Sequence, residues 1–168
     1  QYYFDRLDLI TPNIRRLLDA CRDRGVEVVY TRIASLTPDG RDRSLVHKRP
    51  DLHTPEGAKE AQILGPLAPQ QGEIVISKTC SGPFNGTNID YVLRNLGVDT
   101  LLVCGVIVDG CVETTVRDAS DRGYHVVMVE DGCAGWSEEN HRSCLARMDR
   151  NFAVVMSTQD LVEKISRR

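Results

Sequence analysis

Two hydrophobic periods alternate along the chain. Residues 26–33 (VEVVYTRI), 73–78 (EIVISK), 100–104 (TLLVC), 125–130 and 153–156 are short runs rich in valine and isoleucine, the composition of β-strands. Between them apolar residues recur at helical spacing: Ile14, Leu17, Leu18 and Cys21; then Ile89, Val92, Leu93 and Leu96; then Val112, Val116 and Ala119. Thr11 as N-cap and Pro12 at the first helical position predict a helix over residues 12–24, ended by Gly25. Thr87 or Asn88 caps the next long helix, which Gly97 stops, and further helical segments are predicted near residues 58–64, 138–148 and 159–165. Residues 34–57 break the rhythm with three prolines and two histidines, and read as a long surface excursion.

Strands that alternate with helices in this way predict an α/β fold, with a parallel sheet covered by helices on both faces and right-handed crossovers. The carboxyl ends of such strands share one edge, where ligands bind. Lys78 ends one strand, Cys111 follows another, and Asp131 with Cys133 follows a third, so all four can face one mouth; Cys104 lies inside its strand and reads as core. A sheet of this kind does not usually begin with a helix. Gln1 to Phe4 is too short to form a central strand, and a further strand upstream is expected.

The 100–124 stretch carries the candidate chemistry. Its apolar strand meets a glycine-bracketed turn, Gly105 to Gly110, and the helical period starts at or just before Cys111. A thiol at a helix start lies among unpaired backbone N–H groups, which favour the nucleophilic thiolate and can hold a developing oxyanion. Read in isolation, such a cysteine is more often a small core residue than a catalytic one.

Length suits one domain over residues 1–168. A net charge of -3 gives no nucleic-acid surface, and no apolar run is long enough for a membrane span. Six cysteines without CxxC or zinc-type spacing read as reduced thiols of a cytoplasmic protein. The loop SGPFNGT (residues 81–87) matches neither of the common glycine-rich phosphate loops.

With strand, lysine, turn and cysteine in order, the chain resembles the isochorismatase-like cysteine hydrolases, which include nicotinamidase and the N-carbamoylsarcosine, biuret and ureidoacrylate hydrolases. The resemblance rests on Lys78, Phe84 and Thr87 in the pattern K-x5-F-x2-T, followed by Gly105, Val106, Cys111, Val112 and Thr115 in the pattern G-V-x4-C-V-x2-T. It implies a Rossmann-like three-layer sandwich around a six-stranded parallel sheet, the first strand of which is missing from this chain. It further implies a Cys-Lys-Asp triad that cleaves an amide-type C–N bond of a small carbamoyl, ureido or carboxamide compound through a thioester. Cys111 is then the nucleophile, Lys78 the triad lysine, and a cis peptide between Val106 and Ile107 adds the Ile107 N–H to that of Cys111 in an oxyanion hole. No cofactor is implied, and homodimers or homotetramers are common in the family.

Three departures stand out. The family's aspartate ends the first strand, and Asp5 and Asp8 precede a helix instead, so neither takes that role. Val108 occupies a position often held by threonine. Asp51-Leu52-His53 imitates part of the nicotinamidase metal set without a second histidine partner, so no metal is assigned.

Phe84 and Trp136 are the candidate pocket walls, with Phe84 alternatively an anchor for its loop. His141 reads as a structural hydrogen-bonding group, and His47 and His53 as surface residues. Two other readings compete: a catalytically silent binding or assembly domain, motivated by the absent aspartate, and a thiol redox sensor pairing Cys111 with Cys133. The excursion at 34–57 is the candidate subunit contact.

Overall fold

A computed structural model describes residues 1–167. The order of elements is α1 (Tyr2–Asp23), β1 (Val29–Ile33), α2 (Leu45–Lys48), β2 (Ile74–Lys78), α3 (Ile89–Asn95), β3 (Thr100–Val106), α4 (Glu113–Asp121), β4 (His125–Ala134), α5 (Glu138–Asn151), β5 (Val154–Met156) and α6 (Thr158–Ser166). All strand pairs are parallel, as the alternating pattern requires. Among the described residues they form two sheets, β1-β2 and β3-β4-β5. Among the described residues β1 pairs with β2 alone and β3 with β4 alone, so each has one edge without a strand partner.

Strand β4 shows why helices cover both faces of its sheet. Its side chains alternate: Val126 and Met128 join Val116, Ala119, Cys144 and Met148 of α4 and α5, whereas Val127 and Val129 join Leu17, Cys21, Leu161 and Ile165 of α1 and α6. Strand β3 divides in the same way, with Leu101 and Val103 on the first face and Leu102 on the second. A period of two in the strand and apolar stripes on the helices therefore build two cores on one sheet.

Two elements are longer than their sequence signals. Helix α1 starts at Tyr2 rather than at Pro12, which sits inside it. Proline has no N–H to give the preceding turn, so one bond of the helical ladder is absent here, and the hydroxyl of Thr11 makes an additional bond to the Leu7 carbonyl (2.7 Å). Strand β4 continues past Glu130 to Ala134, through Asp131-Gly132, a pair that reads as a turn. Gly132 serves close approach: a Cβ there would lie 3.0 Å from Val129 Cγ1 and 3.2 Å from Cys104 Cβ. The ladder with β3 shifts register between Val103 and Gly105, after which Gly105 faces Cys133 and Val106 faces Ala134. Gly105 has φ 124°, a conformation that glycine alone adopts without steric cost.

Asp131 does not serve the mouth. Its carboxylate accepts hydrogen bonds from the Thr158 backbone N–H (2.7 Å) and hydroxyl (2.8 Å), tying the end of β4 to the start of α6. Thr158 is fully buried, so Asp131→Ala strands two donors away from water. We expect a loss of about 2–3 kcal/mol of stability, read as a lower urea midpoint with an unchanged slope.

Candidate active site

Lys78, the last residue of β2, is 5% exposed. Its Nζ donates to the Cys80 carbonyl (2.9 Å) and to Cys111 Sγ (3.4 Å). The two site residues singled out in the sequence, 33 positions apart, are thus in contact.

The turn that carries Cys111 is built in three steps. The Val106–Ile107 peptide at the end of β3 is cis. The Ile107 carbonyl then accepts from the Gly110 N–H (3.0 Å) and from the Val112 N–H (3.1 Å). The second bond spans five residues, so the coil at Val108–Val112 is wider than an α-helix before it tightens into α4. Cys111 sits in this wide turn, and the Thr115 hydroxyl bonds its carbonyl (2.6 Å). Helix α5 holds the turn from behind: Cys144 Sγ donates to the Val108 carbonyl (3.3 Å), and Asn140 Nδ2 donates to Asp109 Oδ2 (2.9 Å). Val108 is fully buried, so the side chain at this position serves packing.

All six cysteines are free. Burial pushes the thiols of Cys21, Cys80 and Cys133 up, and those of Cys104 and Cys144 up to about 12. Cys133, placed at the mouth by its position in sequence, is fully buried in the core beneath α4 and α5, because β4 runs on past it. Cys80, beside Lys78, donates to the Gly82 carbonyl (3.1 Å).

Phe84 is 8% exposed and packs in the core, 5.8 Å from the Tyr124 ring, with the Arg122 guanidinium above it at 5.1 Å. It anchors the loop between β2 and α3. Thr87 completes that anchor, donating to the Pro83 carbonyl (2.7 Å) and accepting from the Ile89 N–H at the start of α3 (3.2 Å). Trp136 is 64% exposed and lies against Tyr3, ring centroids 4.5 Å apart. His47 is not a surface residue: it is 3% exposed, because the excursion folds α2 back over the end of β2, with the Ser44 N–H on the Thr79 carbonyl (3.0 Å). Asp51 pairs with Arg43 (3.0 Å) and Asp5 accepts from Gln1 (2.6 Å); neither reaches Lys78. Among the described residues no three His, Cys, Asp or Glu side chains are grouped to hold a metal ion.

An ammonium in contact with a sulfur stabilises the thiolate over the thiol. Lys78→Met should slow alkylation of Cys111 by iodoacetamide near neutral pH by about tenfold or more, measured by mass spectrometry of the peptide that carries Cys111.

Comparison with known proteins agrees with this geometry. The Isochorismatase domain family model matches residues 5–160. An N-carbamoylsarcosine amidase from Arthrobacter sp is 32% identical over 166 residues, covering 94% of this chain and 61% of the relative. A maleamate amidohydrolase from Pseudomonas putida is 30% identical, covering 89% and 71%. A ureidoacrylate amidohydrolase from Agrobacterium fabrum is 33% identical, covering 71% and 59%. The chain thus spans about three fifths of the first and last of these relatives. Among solved structures, a cysteine hydrolase from Pseudomonas syringae superposes with a TM-score of 0.90 at 27% identity, over 96% of this chain and 82% of that one. The N-carbamoylsarcosine amidase of Thermoplasma acidophilum superposes with a TM-score of 0.80 at 26% identity, over 92% and 85%. With a family match across nearly its whole length, and a lysine and a cysteine in contact at the ends of parallel strands, the chain belongs to the isochorismatase family.

Proposed function

We propose that the protein is a cysteine-dependent amidohydrolase that cleaves the C–N bond of a small carbamoyl, ureido or carboxamide compound. The observation that carries this reading is the Lys78–Cys111 contact at the edge where parallel strands end. Relatives named for the amides N-carbamoylsarcosine, maleamate and ureidoacrylate support it. In the proposed reaction the Cys111 thiolate attacks the substrate carbonyl, and the backbone N–H groups of Ile107 and Cys111 hold the oxyanion. Collapse expels the amine, which takes a proton from an acid. Water then adds to the thioester and releases the carboxylic or carbamic acid, restoring the thiol.

The acid is the missing part. We place it on a further strand between β1 and β3, which would join the two sheets into one of six strands in the order β2-β1-new strand-β3-β4-β5. The unpaired edges of β1 and β3 support this, as does the partial exposure of Leu101 to Gly105 in β3, where β4 keeps Met128 and Val129 fully buried. A carboxylate at the end of such a strand would sit beside Lys78 and Cys111. We also propose a single cytoplasmic domain, in keeping with its six free cysteines; among the described residues no helix is long and apolar enough to cross a membrane.

Ammonia release from a panel of N-carbamoyl amino acids, ureido acids and carboxamides tests the proposal. We expect turnover of at least one class by the protein in its full natural length, with Cys111→Ala reducing it by about a thousandfold or more. No release from any compound, with Cys111 also slow toward iodoacetamide, would favour a silent binding domain instead.

We also propose a homodimer or homotetramer that uses the 34–57 excursion. Leu36, Leu45, Val46 and Leu52 in it are 77%, 70%, 60% and 39% exposed, an apolar surface of the kind that subunits cover. Sedimentation should show an oligomer that Leu45→Asp with Val46→Asp converts to monomers; a monomeric wild type would remove this assignment.

A further inference from the structure

Six buried polar side-chain atoms have no hydrogen-bond partner among the described residues, and they fall into two groups. Asp109 Oδ1, His141 Nδ1 and Arg6 Nε lie by the ends of β3 and β4, where Arg6 also bonds the Cys133 carbonyl (3.3 Å). Ser35 Oγ, Ser44 Oγ and His47 Nδ1 belong to residues that the backbone brings to the ends of β1 and β2, near Lys78. The backbone fixes that second placement. The Ala34 N–H donates to the Lys78 carbonyl (3.1 Å), so Ser35 is the next residue along; the Ser44 N–H donates to the Thr79 carbonyl (3.0 Å), one residue beyond Lys78; α2 starts from Ser44 and carries His47. Ser35 and His47 are each 3% exposed.

Native structures keep buried polar atoms without partners only where something else meets them, a ligand or a water. The chemistry here indicates which kind. Two hydroxyls and an imidazole can each donate a hydrogen bond. Burial first, and then the charges of Lys78 and Arg43, hold the His47 imidazole below its ordinary range. The acids of the same loop are engaged elsewhere. Asp42 accepts from the Leu36 N–H (2.9 Å), the Thr37 N–H (3.3 Å) and the Thr37 hydroxyl (2.6 Å), and Asp51 pairs with Arg43. Donors without acceptors near the Lys78 ammonium fit an anionic oxygen.

We infer that Ser44 and His47, with Ser35 beside them, form an anion subsite next to Lys78 that takes a carboxylate of the substrate. This rests on the amidohydrolase reading and narrows its substrates to amides that carry a carboxylate within reach of the scissile carbonyl.

Iodoacetate and iodoacetamide supply the test. Both alkylate a thiolate by the same displacement, in which a C–S bond forms as iodide leaves, and they differ in one carboxylate. The readout is the ratio of their rates at Cys111, resolved from the other thiols by peptide mass spectrometry and divided by the same ratio for free glutathione. We expect the protein to favour iodoacetate by about tenfold over glutathione. Ser44→Ala and His47→Leu should each lower the ratio severalfold, and His47→Gln, which keeps a donor, should restore most of it. A ratio equal to that of glutathione means that water or the protein's own carboxylate fills the subsite, and overturns the inference. Loss of both rates in step, with the ratio unchanged in His47→Leu and Ser44→Ala, marks a purely structural role and overturns it too. The test needs only the Cys111 thiolate, so absence of amide turnover would defeat the hydrolase reading while leaving this ratio measurable.

Discussion

The buried ammonium of Lys78 is the constraint around which the rest is arranged. Taking such a charge out of water costs several kcal/mol unless polar partners meet it, and here they are the Cys80 carbonyl and the Cys111 sulfur. One partner lies on the loop after β2 and the other on the turn after β3, in sheets that share no ladder. Side-chain and loop contacts therefore align the two halves of the site. Gly82 lets the loop lie directly on α4, since a Cβ there would come within 2.6 Å of Thr114 Cγ2, and Asn85 bonds Asp118 on the same helix (2.6 Å). The helix that begins beside Cys111 is thus also the surface that seats the lysine's loop.

A second layer keeps the cysteine turn in shape. Glu113, the first residue of α4, accepts from Arg117 (2.8 Å) and Arg147 (3.1 Å), and lies 3.3 Å from Cys144 Sγ, whose one S–H is shared between it and the Val108 carbonyl. Burial works against its charge, but the two guanidinium groups prevail and hold its carboxyl below the usual range. A negative side chain in the first turn also complements the helix dipole. Cys144 bridges this carboxylate to the Val108 carbonyl, so α5 grips both the turn and the helix that it feeds.

Much of this was legible in the sequence because it is local. The valine-rich runs, the glycines after α1, α3 and α4 and the change of period at Cys111 each reflect short-range geometry, and a parallel fold then brings Lys78 and Cys111 to one edge. What the sequence hid depends on distant contacts. The start of α1 at Tyr2 places Pro12 inside a helix where Thr-Pro reads as a helix start, and the extension of β4 through Asp131-Gly132 depends on Val129 and Cys104 leaving no room for a side chain. His47 reads as a loop residue, and only the return of the chain to Thr79 buries it. Phe84 belongs to a motif, yet its ring meets Tyr124 and Arg122 from a later part of the chain.

The unpaired edges of β1 and β3 have a consequence for handling the molecule. Each carries a row of backbone donors and acceptors, and such rows recruit any extended peptide that can match their spacing. Unless they are covered, neighbouring chains in a concentrated solution compete for them. An edge able to accept one more strand is therefore also a route to clumping.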